Sequence, residues 1–559
     1  MKKCGSDIVV EVLCEHGVDT VFGYPGGTVI PIYDSLYHAQ DRINHVLTSH
    51  EQGASHAADG YARSSGKVGV CIATSGPGAT NLVTGLATAF MDSSAVVAIT
   101  GNVPLSLLGK DSFQEVDIAG VTMPITKHSY IVKDINDLAP TLREAFLIAK
   151  SGRPGPVLVD IPKDIQQTVT EYVKAEPAEV VRYTSRIKDE AIDSAIEILK
   201  KAKKPMAYIG GGVIASEASA ELVEFLNKID APVCSSIMGL GSIPGNDRRF
   251  TGIVGMHGTK VSSIAVNEAD VLVVIGARFS DRVISNGHFA AKATIIQLDI
   301  DPAEFNKNIV SGIHLVGDIK EILQRINSKI TTNLCKAEWM EKIAYYKQRY
   351  PLRVNTEAKR SYEILTALDD ALENTDHFIT TEVGQHQMWA CQFLKHRKPR
   401  HLVTSGGLGT MGFGTGASIG TQMANKNSRV INIAGDGSFK MNCNELATIR
   451  SQNLPIIVML FNNHCLGMVR QWQTLFFDKR YSATTLDTPV HWTMLANAFG
   501  IKAMQIGVED DPNTIIREAL ALNEPVLIEC EIPLDDKVLP MVSPGTSIST
   551  IYGFHDNEE

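Results

Sequence analysis

Short, almost unbroken apolar runs recur along this chain, and each opens into a loop rich in glycine or small polar residues. Val68–Ala73 leads into Thr74-Ser75-Gly76-Pro77-Gly78-Ala79-Thr80-Asn81, and Val96–Ile99 into Thr100-Gly101-Asn102. Met206–Ile209 leads into Gly210-Gly211-Gly212, Val271–Ile275 into Gly276-Ala277-Arg278, Val430–Ala434 into Gly435-Asp436-Gly437, and Ile456–Phe461 into Asn462-Asn463. Apolar runs without polar alternation predict strands covered on both faces, and stretches such as Ala191–Leu199 and Trp339–Arg349 read as helices. The fold class expected is therefore α/β with parallel sheets. Ligands of such sheets gather beyond the carboxyl ends of the strands, where these loops lie.

Composition adds the domain count. A chain of 559 residues with 44% hydrophobic and 20% charged residues can bury several cores, which excludes wholesale disorder. The chain turns charged after Arg153-Pro154-Gly155-Pro156 and the run Val157–Asp160, and a second polar stretch lies between Ser328 and Lys359. These shifts predict three domains, 1–185, 186–350 and 351–559. A net charge of -10 with no long basic run argues against nucleic acid or an anionic membrane as the main partner. It leaves room for a local cationic pocket that takes an anionic metabolite. Nine cysteines without a CxxC pair point to reduced thiols, not to a zinc site or a disulfide frame. No leader-like apolar segment follows Lys2-Lys3, and no run is long enough to span a bilayer, so a cytoplasmic protein is expected.

The chemistry concentrates in two places. Gly435-Asp436-Gly437-Ser438 and Asn462-Asn463 each follow a predicted strand, so Asp436 and Asn463 would project from strand ends in one sheet. A carboxylate and an amide oxygen are hard ligands suited to Mg²⁺, which shares its coordination with phosphate oxygens. The glycines let backbone N–H groups approach a diphosphate, and the helix opening near Ser438 turns its positive end towards it. The plainer reading of Gly-Asp-Gly alone is a tight strand-to-helix turn; the second half at its matching position favours the metal site. The other place is His50-Glu51-Gln52-Gly53, opening a helix of small residues. There Glu51 is either an acid at a helix dipole or a functional carboxyl group.

Gly435-Asp436-Gly437 through Asn462-Asn463 resembles the signature of thiamine-diphosphate enzymes. Within them the chain resembles the catalytic (large) subunits of acetohydroxyacid synthases, also called acetolactate synthases, of the biosynthetic type. The resemblance runs from Val21-Phe22-Gly23-Tyr24-Pro25-Gly26-Gly27 to Pro540-Met541-Val542-Ser543-Pro544-Gly545. Its most specific segments are Phe113-Gln114-Glu115, Gly255-Met256-His257-Gly258-Thr259, Gly384-Gln385-His386-Gln387-Met388-Trp389 and Gly467-Met468-Val469-Arg470-Gln471-Trp472-Gln473. The resemblance implies pyrimidine-binding, central and diphosphate-binding domains in that order. It implies an enzyme that decarboxylates pyruvate and condenses the two-carbon remainder with pyruvate or 2-oxobutyrate, in branched-chain amino-acid synthesis. A sibling 2-oxo-acid decarboxylase or acyltransferase, or a divergent homologue that binds cofactors with little turnover, are the alternatives.

Residue by residue, the resemblance makes Glu51 the acid that activates thiamine diphosphate and Met411 the apolar wedge that bends it, with core packing as the other role of a methionine. Gly384, Gln385, His386, Gly409, Gly435, Asp436, Gly437, Ser438, Asn463, Cys465, Gly467 and Met468 would hold the rest of the cofactor. Asp436, Asn463 and the Cys465 carbonyl would hold Mg²⁺. Arg282 would grip the acceptor carboxylate with its two-pronged guanidinium, unless it is spent on a surface pair with Asp281. Gly27, Phe113, Gln114, Lys163, Met468 and Trp472 would line the channel, with Gln114 and Lys163 near the chemistry; apolar packing and a solvated lysine are the plainer roles. FAD would be held by Arg153, Gly210, Gly211, Gly212, Gly255, Met256, His257, Gly276, Ala277, Arg278, Arg282, Asp299, Ile300 and Asp318, segments that taken singly are ordinary glycine-rich turns. The active sites are expected between two chains of a homodimer or tetramer, with a small regulatory subunit as a further partner.

Three positions depart from the family pattern. Glu382 stands where Asp is usual, adding a methylene beside the diphosphate region. Gly414-Thr415-Gly416 replaces Leu-Pro, which predicts a looser backbone after the Met411 turn. Ser94-Ala95 stands where a proline normally follows.

Overall fold

The computed structural model describes residues 1–284, 289–352, 358–543, 545–548 and 551–552; Pro544 of the C-terminal motif lies outside them. Three six-stranded, all-parallel sheets follow one another along the chain. The first comprises β1 (Thr20–Tyr24), β2 (Asn44–Leu47), β3 (Gly69–Ala73), β4 (Val96–Asn102), β5 (His128–Ile131) and β6 (Val157–Pro162), in the spatial order 2-1-3-4-6-5. The middle sheet comprises β7 (Pro205–Ile209), β8 (Val233–Ser235), β9 (Phe250–Ile253), β10 (Val271–Ile275), β11 (Thr294–Asp299) and β12 (Ile313–Val316), in the order 9-8-7-10-11-12. The third comprises β13 (His377–Thr381), β14 (Leu402–Val403), β15 (Arg429–Gly435), β16 (Ile457–Asn462), β17 (Lys502–Ile506) and β18 (Val526–Glu531), in the order 14-13-15-16-18-17.

The first and third sheets therefore share one topology, whereas the middle one has the order 3-2-1-4-5-6 counted within itself. Each sheet has a reversal of strand order near its middle, between β1 and β3, β7 and β10, or β13 and β15. The loops leaving the two strands at such a point diverge to opposite faces and leave a crevice for ligand.

The central strands are apolar and buried throughout because helices cover both faces; Val271–Ile275 is buried at every position. The first and third units pack through α1 (Glu51–Ser65) against α4 (Phe413–Ala424). Side chains there are small enough to bring the backbones together: a Cβ on Gly416 would sit 2.8 Å from the His56 Cβ, and one on Gly60 2.7 Å from the Ala417 Cα. Gly414-Thr415-Gly416 is thus wholly buried helix, not a loosened backbone. The expectation drawn from it is corrected: glycines in a helix pressed against its neighbours serve close approach, and packing removes the freedom they would have in a loop.

The helix Ala337–Arg349 lies on the middle unit, where Trp339 Nε1 donates to the Pro205 carbonyl at 3.0 Å. Beyond β18 the chain returns to that unit: the Val542 N–H donates to the Met256 carbonyl, and Ile548 joins the middle core. All nine cysteines are unpaired, and five of them, including Cys71 and Cys465, are buried. No helix among the described residues is long and apolar enough to cross a membrane.

Candidate functional site

At the reversal of the first sheet, β1 runs into Gly26-Gly27-Thr28 and β3 into Thr74-Ser75-Gly76. The Thr28 and Thr74 hydroxyls meet at 3.0 Å, and Ser75 N–H donates to Thr28 Oγ1 at 3.0 Å, fastening the two loops together. Glu51 is the first residue of α1, immediately after the N-cap His50, whose Nδ1 accepts from the Gln52 N–H at 3.0 Å. The Glu51 carboxyl group is buried, and its Oε2 accepts from Asn81 Nδ2 at 2.9 Å. Its Oε1 lies 3.1 Å from where a side chain on Gly78 would begin, so the missing Cβ keeps space in front of the acid.

Gln114, in a left-handed conformation (φ 58°), packs its backbone against Gly76. Phe113 beside it is 87% exposed. Lys163 opens the short helix after β6, which reaches the same turn through Gln166 Nε2 and the Thr28 carbonyl at 2.9 Å. Gly27, Glu51, Phe113, Gln114 and Lys163 accordingly gather at the carboxyl end of the first sheet.

At the reversal of the third sheet, Asp436 follows β15 and is almost fully buried, accepting from the Gly437 N–H at 2.9 Å. Burial pushes its carboxyl group up to about 7, the mark of an anion short of positive charge. Asn463 follows the neighbouring β16: its Nδ2 donates to Gln385 Oε1 at 3.3 Å, and its Oδ1 accepts from the Cys465 N–H at 3.3 Å. Gly467, first residue of α5 (Gly467–Phe476), has no room for a Cβ, which would fall 2.7 Å from Asn463 Nδ2. His386, on α3 (Gln385–Phe393), is pressed between Gly384 and Gly435. Its buried Nε2 has no hydrogen-bond partner among the described residues, and burial lowers the ring to about 3, so it is neutral.

Met411 stands half-buried between Gly409 (φ 69°) and Gly412 (φ 85°), on a turn that needs both glycines. Ser438 fixes that turn: its hydroxyl accepts from the Gly412 N–H at 3.1 Å and donates to Glu382 Oε2 at 2.9 Å. Among the described residues no group of three His, Cys, Asp or Glu side chains could hold a metal. A divalent ion here would rely on one carboxylate, amide and backbone oxygens and ligand phosphate, a donor set that suits Mg²⁺.

Glu382, just after β13, ties that strand end to α4. Its side chain is fully buried, and Oε1 accepts from both the N–H and the hydroxyl of Thr415, at 2.8 and 2.9 Å. Thr415 is thus the direct partner of Glu382. Thr415→Val removes one donor from a buried carboxylate and is expected to cost about 1–3 kcal/mol. Thermal denaturation should show the loss, with Thr415→Ser close to the parent.

A cavity of about 1400 Å³ opens at the reversal of the middle sheet and reaches both other units. Arg153, Gly211, Gly212, Met256, His257, Gly276, Ala277, Arg278, Arg282, Asp299, Ile300 and Asp318 line it; Gly210 and Gly255 do not, but pack against Gly276 and Arg282. The Gly212 N–H donates to the Gly276 carbonyl at 3.0 Å, and a Cβ on Gly212 would lie 2.7 Å from the Gly276 Cα, so only glycines allow the two turns to touch. Asp318 caps the helix Ile319–Lys329, accepting from the N–H groups of Lys320 and Glu321 at 3.0 and 3.2 Å. His257 Nδ1 is buried without a partner among the described residues, and burial holds its ring at about 4. Asp299 is pushed up to about 6 by burial.

Gly384, Gly409, Met468 and Trp472 line the same cavity from the third unit. Arg282 stands over the Trp472 ring at 5.9 Å and faces Asp281 at 3.7 Å. With its side chain 61% exposed, that ion pair is weak and leaves the guanidinium available. Gly27, Glu51, Phe113, Gln114 and Lys163 are not among the residues lining this cavity. Met411, Asp436, Asn463 and Cys465 do not line it either.

Several structural partners carry no signal in the sequence. Arg63 is largely shielded from solvent and donates to Asp59 at 2.7 Å, to Asp92 at 2.9 Å and to the Thr404 carbonyl at 2.7 Å. Asp92, at the end of α2 (Val83–Asp92), also accepts from the Gly406 and Gly407 N–H groups and so anchors the loop leading to Met411. The only hint is the i, i+4 acid–base pair Asp59/Arg63 in a helix that is otherwise small and apolar.

Sequence profiles described as the N-terminal, central and C-terminal domains of thiamine pyrophosphate enzymes match residues 3–121, 192–326 and 382–530. The acetolactate synthase large subunit of Porphyra purpurea is 43% identical over 99% of this chain and 96% of its own length. The chain belongs to the acetolactate synthases. The isozyme 2 large subunit of Escherichia coli K12 is 44% identical over 98% of both chains. A probable acetolactate synthase large subunit of Methanocaldococcus jannaschii is 43% identical over 98% of this chain and 95% of its own. Acetolactate synthases are thiamine-diphosphate enzymes, as the three matched profiles indicate.

Proposed function

We propose that this acetolactate synthase removes CO2 from pyruvate and joins the two-carbon remainder to a second pyruvate or to 2-oxobutyrate, giving 2-acetolactate or 2-aceto-2-hydroxybutyrate. Thiamine diphosphate, when bound, supplies a weakly acidic ring carbon that adds to the 2-oxo acid and takes up the electrons released with CO2. Asp436, Asn463 and the Cys465 carbonyl would hold Mg²⁺ beside the diphosphate. Glu51 would hydrogen-bond the aminopyrimidine ring and act as its acid–base partner. Met411 would shape the cofactor's site, and Arg282, over Trp472, would hold the acceptor carboxylate at the channel mouth.

What supports this reading is that Glu51 heads α1 beside the first sheet while Asp436 follows a strand of the third. A cofactor that needs both halves is then completed by a second copy: Glu51 of one chain serves the diphosphate held by the other. FAD fits the middle unit on the strand order, the touching glycine turns and the cavity with its unpartnered His257 nitrogen. The relatives are named large subunits, which presupposes a smaller companion chain, here proposed as regulatory.

Pyruvate with thiamine diphosphate and Mg²⁺, with and without FAD, is the direct test. Acetolactate is the expected product. Acetaldehyde alone would show a simple decarboxylase, and no CO2 at all a cofactor-binding homologue without turnover.

A further inference from the structure

Glu445 lies nine positions beyond Asp436, in the short turn Cys443–Glu445, and none of the roles above involves it. Its side chain is fully buried. It belongs to the third unit, yet its carboxylate is spent on the first. Oε1 and Oε2 each accept from the Ser49 N–H at 3.1 Å, and Oε1 also accepts from the His50 N–H at 3.0 Å. Within its own turn, Thr448 Oγ1 donates to Oε2 at 2.6 Å. A second link runs alongside, from the Ser49 hydroxyl to the Asn444 carbonyl at 2.9 Å. Gly53 leaves the space: a Cβ there would collide with Glu445 Oε1.

Burial without a cation raises the carboxyl group, so an acid at this place is costly unless its donors are held in position. Here the donors are the two peptide groups immediately before Glu51. A shift of the His50 peptide passes to the Glu51 backbone directly, and Asn81 grips only one carboxylate oxygen of Glu51. The same segment is tied to the Met411 turn, where Asn442 Nδ2 donates to the Gly412 carbonyl at 2.6 Å.

We infer that Glu445 is a positioning residue for the activating acid: it clamps the entry to α1 so that the Glu51 carboxyl group is held where it can exchange a proton with the cofactor. This rests on the thiamine-diphosphate reading above. A clamp and a mere strut differ in what they move. A strut alters folding stability, whereas a clamp alters proton transfer at constant cofactor affinity, since a displacement of about 1 Å costs roughly 10²-fold in a reaction that depends on orientation.

The test uses the full-length Glu445→Gln protein, which keeps the shape and removes the charge. Three quantities are compared with the parent: thiamine diphosphate affinity with Mg²⁺ by calorimetry, hydrogen–deuterium exchange at the thiazolium C2 by quenched-sample NMR, and the melting temperature. Exchange slowed about 10- to 100-fold with affinity within about threefold is expected. Gly53→Ala, which presses a methyl group on the same carboxylate, should slow exchange in the same way and serves if Glu445→Gln does not fold. Unchanged exchange, whatever the melting temperature, overturns the inference. A parent protein that neither binds thiamine diphosphate nor accelerates its exchange refutes the cofactor reading itself, a distinct result.

Discussion

Glu51→Gln is expected to lower turnover of pyruvate by about 10²–10⁴, the usual contribution of a positioned acid–base group, while cofactor binding persists. The carboxamide keeps the size and the bond from Asn81 but cannot exchange a proton with the aminopyrimidine. Under the proposal that Glu51 of one chain serves the diphosphate held by another, the same variant also tests the assembly. In dimers formed at random from equal amounts of Glu51→Gln and Asp436→Asn chains, about a quarter of the sites contain neither substitution. Activity of that order should return when two inactive proteins are refolded or exchanged together. A mixture that stays inactive would place acid and metal carboxylate in one chain's site and overturn the two-chain reading.

Asp436→Asn should abolish the stabilisation that thiamine diphosphate and Mg²⁺ give the parent. A ligand at a hundred times its dissociation constant adds about 2.7 kcal/mol to the folded state, and removal of the single metal carboxylate leaves the diphosphate without its counter-ion. Melting curves with and without the two ligands should separate by several degrees for the parent and coincide for the variant. Chelation of Mg²⁺ should make the parent behave like the variant. Without ligands the variant should be no less stable than the parent, because the substitution takes a buried, poorly compensated anion out of the core. That comparison separates loss of the site from loss of the fold. A ligand-induced shift of parental size in Asp436→Asn would remove Asp436 from the metal site.

The central strands were legible because they are apolar on both faces, as at Val271–Ile275 and Ile457–Asn462. Edge strands such as Asn44–Leu47, His128–Ile131 and Lys502–Ile506 were not, since a strand with one neighbour is half-exposed and its pattern dissolves into that of a loop. Among the site residues, Asp436 and Asn463 announce themselves by following apolar runs. Glu51 does not, and resemblance alone distinguishes it from any acid at a helix start. Glu445 and Asn81 gave no signal at all, because their partners are 395 and 30 positions away.

What the residues by themselves determine is the set of strands, the glycine turns at their ends and the inventory of acids, amides and arginines available there. Burial and local conformation are near-neighbour properties, and a pattern along the chain encodes them. Only the tertiary structure decides that the first and third sheets repeat one strand order and that the middle one reverses at Gly212 and Gly276. It also decides that Thr415 donates to Glu382, and that Glu445 of the third unit meets the residues just before Glu51 of the first. Those outcomes depend on contacts between residues far apart in the chain, whose partners are selected by the packing of whole layers.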